Sequence, residues 1–118
     1  MKDSLEALES LSNARWYNKW LIRHFSKYLN GEILEVGCGI GNFSRLLSQF
    51  GKVHATDINR DYLRRIKKEL KSQGNNHITV GFGDIEKKQF PFKPGRKFHS
   101  IVCLNKNLLT LQILLQPK

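Results

Sequence analysis

The sequence predicts an α/β fold: a doubly wound, mostly parallel sheet of about four strands, helices on both faces, with helical segments ahead of it. Three observations carry that prediction. Short apolar runs alternate with longer stretches of helical periodicity, the pattern of βαβ units. A glycine-rich turn follows the first run and opens a helix. Acidic residues close the second run and follow the third, at the sheet end where such folds gather their ligand groups.

Residues 1–30 read as helical. Leu5, Leu8 and Leu11 suit a further short helix or a frayed end. Tyr17, Trp20, Leu21, Phe25 and Tyr28 then form an amphipathic stripe that stops at Asn30-Gly31. A stripe of this kind is more often core than ligand box. Ile33 to Val36 is the first strand, and Gly37, Gly39 and Gly41 turn the chain after it. Glycines at alternate positions remove side chains where a backbone turns sharply and approaches a ligand closely. The helix start beyond them directs free N–H groups into the crevice.

Phe43, Leu46, Leu47 and Phe50 make one apolar helix face, and Gly51 ends that helix. Val53 to Asp57 is the second strand. A second helix over residues 59–72 is expected to bury Ile58, Tyr62, Leu63, Ile66 and Leu70, with Gly74, Asn75 and Asn76 as the following turn. The third strand opens at Ile78 and leads to Gly83-Asp84-Ile85; the fourth runs from Phe98 to Asn105. Leu104, Leu108, Leu111 and Leu115 share one face if the tail is helical. That tail is too short and interrupted to cross a membrane.

Two details choose the ligand of the glycine loop. A dinucleotide fingerprint wants its third glycine one residue later, where this chain has Asn42. Glu35, at the carboxyl end of the strand, would repel a pyrophosphate and welcome an ammonium or a sulfonium. The loop therefore favours a positively charged nucleoside over NAD or FAD.

On these residues the chain resembles the class I S-adenosylmethionine-dependent methyltransferases of the type 11/12-like kind. Glu35-Val36-Gly37-Cys38-Gly39-Ile40-Gly41 is similar to the family's first motif. Asp57, Gly83-Asp84-Ile85 and the strand ending at Asn105 follow in the family's order, and the match spans roughly residues 15–105. The resemblance implies a partial Rossmann-like sheet and S-adenosyl-L-methionine as cofactor. It implies that Gly37, Cys38, Gly39 and Gly41 line the methionine portion, with Glu35 near the ammonium. Asp57 would hold the ribose, Ile58 would lie against the adenine, and Asp84 with Ile85 would meet its amino edge. Asn105 would sit near the methyl-transfer end, or serve only as a strand-end turn residue. A tyrosine near Tyr17 lies over the donor in such enzymes. The nucleic-acid methyltransferase signature N-P-P-Y is absent after Asn105, and no residue names the catalytic base or the methyl acceptor.

The family's sheet has seven strands, and 118 residues reach only the fourth. The expected organisation is a helical segment (1–30), the donor-binding half of a methyltransferase domain (31–105) and an atypical leucine-rich tail (106–118). A truncation after the fourth strand leaves that strand as an edge, to be covered by the tail, by a second copy or by a protein partner. Self-association or poor solubility is the expected behaviour. Three readings stay open: a donor-binding domain without turnover, an enzyme completed by self-association or a partner, and a non-catalytic basic module on the same fold.

The third reading rests on charge. Lys and Arg total 20 against 10 acids, a formal net charge of +10, and no acid follows Glu86. Arg60, Arg64, Lys67, Lys68 and Lys71 share a helix face that could meet nucleic acid or a protein partner, although a solvated face is the commoner outcome. Cys38 and Cys103 are the only cysteines, which fits a reducing compartment, the cytoplasm or the nucleus. His24, His54, His77 and His99 lack metal-ligand spacing, so no metal is expected. There is no nucleophile elbow, no Walker loop and no apolar leader at the amino terminus.

Overall fold

A computed structural model describes residues 16, 19, 20, 22–105 and 110–115. One sheet holds five strands: β1 (Glu32–Val36), β2 (Lys52–Asp57), β3 (Ile78–Phe82), β4 (Ser100–Asn105) and β5 (Thr110–Leu115). Their order is β3-β2-β1-β4-β5. The first four are mutually parallel, and β5 pairs antiparallel to β4. Helix α1 spans Asn42–Leu47 and α2 spans Arg60–Ser72. Ahead of the sheet, residues 22–25 are helical and run into a 3-10 turn at Ser26–Tyr28.

Strand periodicity sorts the sheet into two faces. Ile33, Val53, Ala55, Ile78 and Val102 point to one face, where they form the core with Phe43 and Leu47 of α1 and Leu63, Ile66 and Leu70 of α2. Ile22 and Leu29 close the same core from the amino-terminal side. Helix α2 starts where Asn59 ends the loop: its Oδ1 accepts the N–H groups of Asp61 at 3.0 Å and Tyr62 at 3.1 Å. Such a cap contributes about 1 kcal/mol.

Among the described residues the opposite face carries no helix, where helices on both faces were expected. Residues 83–99 cover it as an irregular connection from β3 back to β4. Pro91, Pro94 and Gly95 deny that segment a helix. It anchors instead through aromatics. Phe92 and Phe98 meet edge-to-face at 5.0 Å, and the buried His54 ring meets both at 5.7 and 5.4 Å. Nδ1 of His54 lies 2.8 Å from Thr79 Oγ1 and Nε2 lies 3.3 Å from Glu32 Oε1. Burial pushes the His54 pKa down in spite of the Glu32 carboxylate beside it. For Glu32, burial pulls upward, but His54 and the Arg96 guanidinium at 2.7 Å hold the carboxyl below its ordinary range.

Further sequence expectations need correction. The leucine spacing read as a tail helix belongs, from Thr110 to Leu115, to strand β5. Every second residue of Thr-Leu-Gln-Ile-Leu-Leu also shares a strand face, and the open ladder of β4 decides between the two periods. Of the three coverings expected for the β4 edge, the tail supplies one: β5 pairs along the whole length of β4, from Ser100↔Leu115 to Asn105↔Thr110. Ile58 and Tyr62, expected in the core, are 63% and 44% exposed: Ile58 precedes α2 by two residues, and the helix buries Leu63, Ile66 and Leu70 instead. Of the amino-terminal stripe, Trp20 and Tyr28 are exposed and Phe25 is half-buried, while Ile22, which is not one of its residues, is buried. Tyr17 and Leu21 lie outside the described residues, as do Leu5, Leu8 and Leu11. The basic residues of α2 are all exposed, and Arg64 pairs with Asp61. Among the described residues no helix is long and apolar enough to cross a membrane.

Candidate functional site

The chain builds β1, β2 and β3 outward in one direction and then returns to place β4 on the other side of β1. That reversal leaves a crevice at the carboxyl ends of β1 and β4, the usual ligand position in open parallel sheets. The glycine loop and both acid-bearing strand ends gather at this edge.

The loop is held from below by β2. Thr56 O accepts the N–H groups of Gly37 and Cys38, each at 2.9 Å, and Thr56 Oγ1 donates to Glu35 O at 2.8 Å. Gly41 N–H donates to Cys38 O at 3.0 Å, which closes the turn before α1. Gly37, Gly39 and Gly41 all have positive φ, at 79°, 58° and 89°. Two of them serve different needs. A Cβ on Gly41 would strike the Ile66 side chain, lying 2.8 Å from Cγ1, so this glycine lets α1 approach α2. A Cβ on Gly37 would meet nothing within 4 Å, so this glycine keeps the open side of the loop clear.

Asp57 joins the loop to the next element. Its Oδ2 accepts Gly39 N–H at 2.8 Å and its Oδ1 accepts Asn59 N–H at 2.9 Å. Both oxygens are thus fixed by backbone while the residue remains half-buried. Glu35 is almost fully buried, at 1% exposure, beside Ala55 and Val102 in the sheet. It accepts a hydrogen bond at Oε1 from the Ser44 hydroxyl on α1.

Farther along the edge, Gly83 N–H donates to Asp57 O at 3.1 Å, which ties the third acid-bearing segment to the second. Asp84 Oδ1 accepts the N–H groups of Glu86 and Lys87 at 3.0 and 3.2 Å and shapes the turn behind β3. Ile58 and Ile85 are both more than half exposed, two large apolar side chains following neighbouring strand ends. Asn105 ends β4 on the same edge, two residues beyond Cys103, which pairs with Val36; its side chain lies outside the described residues. The structure therefore links Glu35, the glycine loop and Asp57 in one hydrogen-bonded unit, with Ile58, Asp84 and Ile85 at its flank.

Sequence reasoning missed four contributors. In the sequence Thr56 is only a strand residue and Asn59 only the start of a helix. Arg60 was placed on a solvent-facing basic stripe, yet its guanidinium lies over the Phe82 ring at 4.2 Å, beside the end of β3. Ser44 was the one with a signal: a hydroxyl flanked by Phe43, Leu46 and Leu47, on a face that should bury only apolar groups. Among the described residues no group of three His, Cys, Asp or Glu side chains could hold a metal ion.

Comparison with known proteins bears on the whole arrangement. The family model described as a methyltransferase domain matches residues 33–114, from β1 into β5. The chain belongs to that family. Several solved structures share this methyltransferase-domain fold. A dimethyladenosine transferase from Plasmodium falciparum is 33% identical, with 61% of this chain and 25% of that one covered, at a TM-score of 0.51. An S-adenosylmethionine-dependent methyltransferase from Clostridium acetobutylicum is 23% identical, covering 74% and 35%, at 0.58. Another from Aquifex aeolicus is 21% identical, covering 64% and 41%, at 0.53. This methyltransferase domain thus spans well under half the length of the solved structures it matches. No curated protein matches the chain significantly.

Proposed function

We propose that this methyltransferase domain binds S-adenosyl-L-methionine at the β1–β4 crevice and serves methyl transfer from it. The observation that carries this reading is the unit formed by Glu35, the glycine loop and Asp57, with the Gly37 side of the loop open. The cradle fits the ligand by charge. A buried carboxylate at the base of the loop suits an ammonium and opposes a pyrophosphate. When bound, S-adenosylmethionine supplies an electrophilic methyl group on its sulfonium.

The chain's own residues then have separable tasks. Glu35 receives the ammonium through a direct bond or a water. Asp57, whose oxygens are held by Gly39 and Asn59, has acceptor capacity remaining for the ribose hydroxyls. Ile58 and Ile85 shield the adenine, with Asp84 at its amino edge. Asn105 stands at the methyl-transfer end. Catalysis of this kind is mainly positioning, since the leaving group is already activated.

No residue described above is assigned the acceptor or its base; completion of the site by self-association or a protein partner is part of this reading. Titration of isotope-labelled chain with S-adenosylmethionine and then NAD tests the reading. The expected result is amide shifts at residues 37–42 and 57 with the first ligand alone. Asp57→Ala should weaken that binding by about tenfold or more, the scale of a lost charge-assisted hydrogen bond. Equal response to NAD, or none to either, would sink it.

A further inference from the structure

We infer that Ser44 is a positioning residue for the donor site: it fixes the Glu35 carboxylate for the aminocarboxypropyl arm of S-adenosylmethionine and leaves the nucleoside end untouched. The inference rests on the donor-binding reading above and adds a residue to it. Glu35 sits in the layer between β1 and α1, on the sheet face lined by Val53, Ala55 and Val102, all at 0% exposure. A carboxylate in such surroundings is costly to keep charged unless donors reach it. Ser44 is itself at 0% exposure and lies on the buried face of α1 with Phe43 and Leu47. An alanine there would suit the core. A serine inside a helix usually bonds back to the preceding turn or faces solvent. This one does neither, and donates across the layer to Glu35 Oε1.

One hydroxyl proton on Oε1 does two things. It lowers the cost of the buried negative charge, and it sets which way the plane of the carboxylate faces. Asp57 is fixed by different groups, the backbone amides of Gly39 and Asn59, so the two ends of the ligand are held by independent supports. That independence is what an experiment can read.

The test compares S-adenosylhomocysteine with 5′-methylthioadenosine, which carries the same nucleoside and sulfur but lacks the amino acid arm. Both are titrated calorimetrically into the full chain, unchanged and as Ser44→Ala, with Glu35→Gln as a second variant. The expected result is a loss of about tenfold for S-adenosylhomocysteine in Ser44→Ala, with methylthioadenosine binding held within about twofold. Glu35→Gln should show the same selective loss, and adding Ser44→Ala to it should cost little more. Methylthioadenosine binding doubles as the control that each variant is folded. Equal weakening of both ligands would make Ser44 a packing residue and overturn the inference, as would an unchanged affinity for S-adenosylhomocysteine. If the unchanged chain bound neither ligand, the donor-binding reading would fall and this inference with it.

Discussion

Gly37 and Gly41 share a backbone conformation but answer to different forces. Both have positive φ, so an alanine at either position carries about 1–2 kcal/mol of backbone strain. Only at Gly41 does a methyl group also collide with Ile66, in the middle of the core. Overpacking of that kind adds about 1–3 kcal/mol. Gly41→Ala should therefore lower the thermal midpoint clearly more than Gly37→Ala. Ligand binding should reverse the order: Gly37→Ala projects a methyl into the open side of the loop and should abolish S-adenosylmethionine binding while the protein stays folded. Melting curves with and without ligand, run on both variants, check the pair of expectations. Most of this loop was legible in the sequence, because glycine spacing and a strand-end acid are local signals. The Ser44–Glu35 bond was not. It joins residues nine apart across a layer, and only the packing of α1 on β1 brings them together.

Between helices, the link is electrostatic as well as apolar. Glu69 on α2 accepts from Arg65 on its own helix at 3.3 Å and from Arg45 on α1 at 2.8 Å. Arg65 contributes most, and with Arg45 it outweighs the opposing effect of burial and holds the Glu69 carboxyl below its ordinary range. On the other face, the His54 contacts with Glu32, Thr79, Phe92 and Phe98 tie the irregular connection to the sheet. His54 has a folded-state pKa below its ordinary 6.5, so the unfolded chain takes up that proton more readily. The stability contributed by neutral His54 is complete above about pH 6.5 and is lost as pH falls through that value toward the lower one. Glu32, also lowered, adds a second loss once pH drops below its ordinary 4.5. Urea midpoints should thus decline from pH 7 to pH 5. His54→Leu should flatten that decline, at a direct cost of about 1 kcal/mol for its lost partners at pH 7. A slope unchanged by the substitution would refute this assignment. Periodicity marked β1, β2, α1 and α2, since each buries one face against a common core. It could not mark the second face, which carries no helix among the described residues and where two prolines and a glycine decide the backbone and only tertiary contacts decide the path.

At the scale of the whole sheet, four parallel strands are closed on one side by an antiparallel fifth. Thr110 to Leu115 was ambiguous in the sequence because leucine-rich segments fit either period, and an unpaired β4 ladder outweighs the weak helix preference of six residues. The consequence for association is direct. Pairing with β5 satisfies β4 and makes a strand rich in leucine and isoleucine the last of the described sheet. Alternate residues of an antiparallel strand donate to the same neighbour, so one of the N–H groups of Gln112 and Ile113 faces β4. Proline at both positions together removes that donor and should detach β5. The expected outcome is a higher sedimentation coefficient that rises with concentration, compared with the unchanged chain. A variant that sediments as the parent does would show that β5 does not guard the edge.

The reversal at β5 also sets the polarity of the molecule as an object to be handled. Ascending strands deliver the chain to the crevice four times, and β5 carries it back down until Leu115 lies beside Ser100, the first residue of β4. Polypeptide leaving β5 therefore departs from the pole opposite the glycine loop. A tether attached at that exit would anchor the protein by its base and leave the crevice at the other end facing open solution.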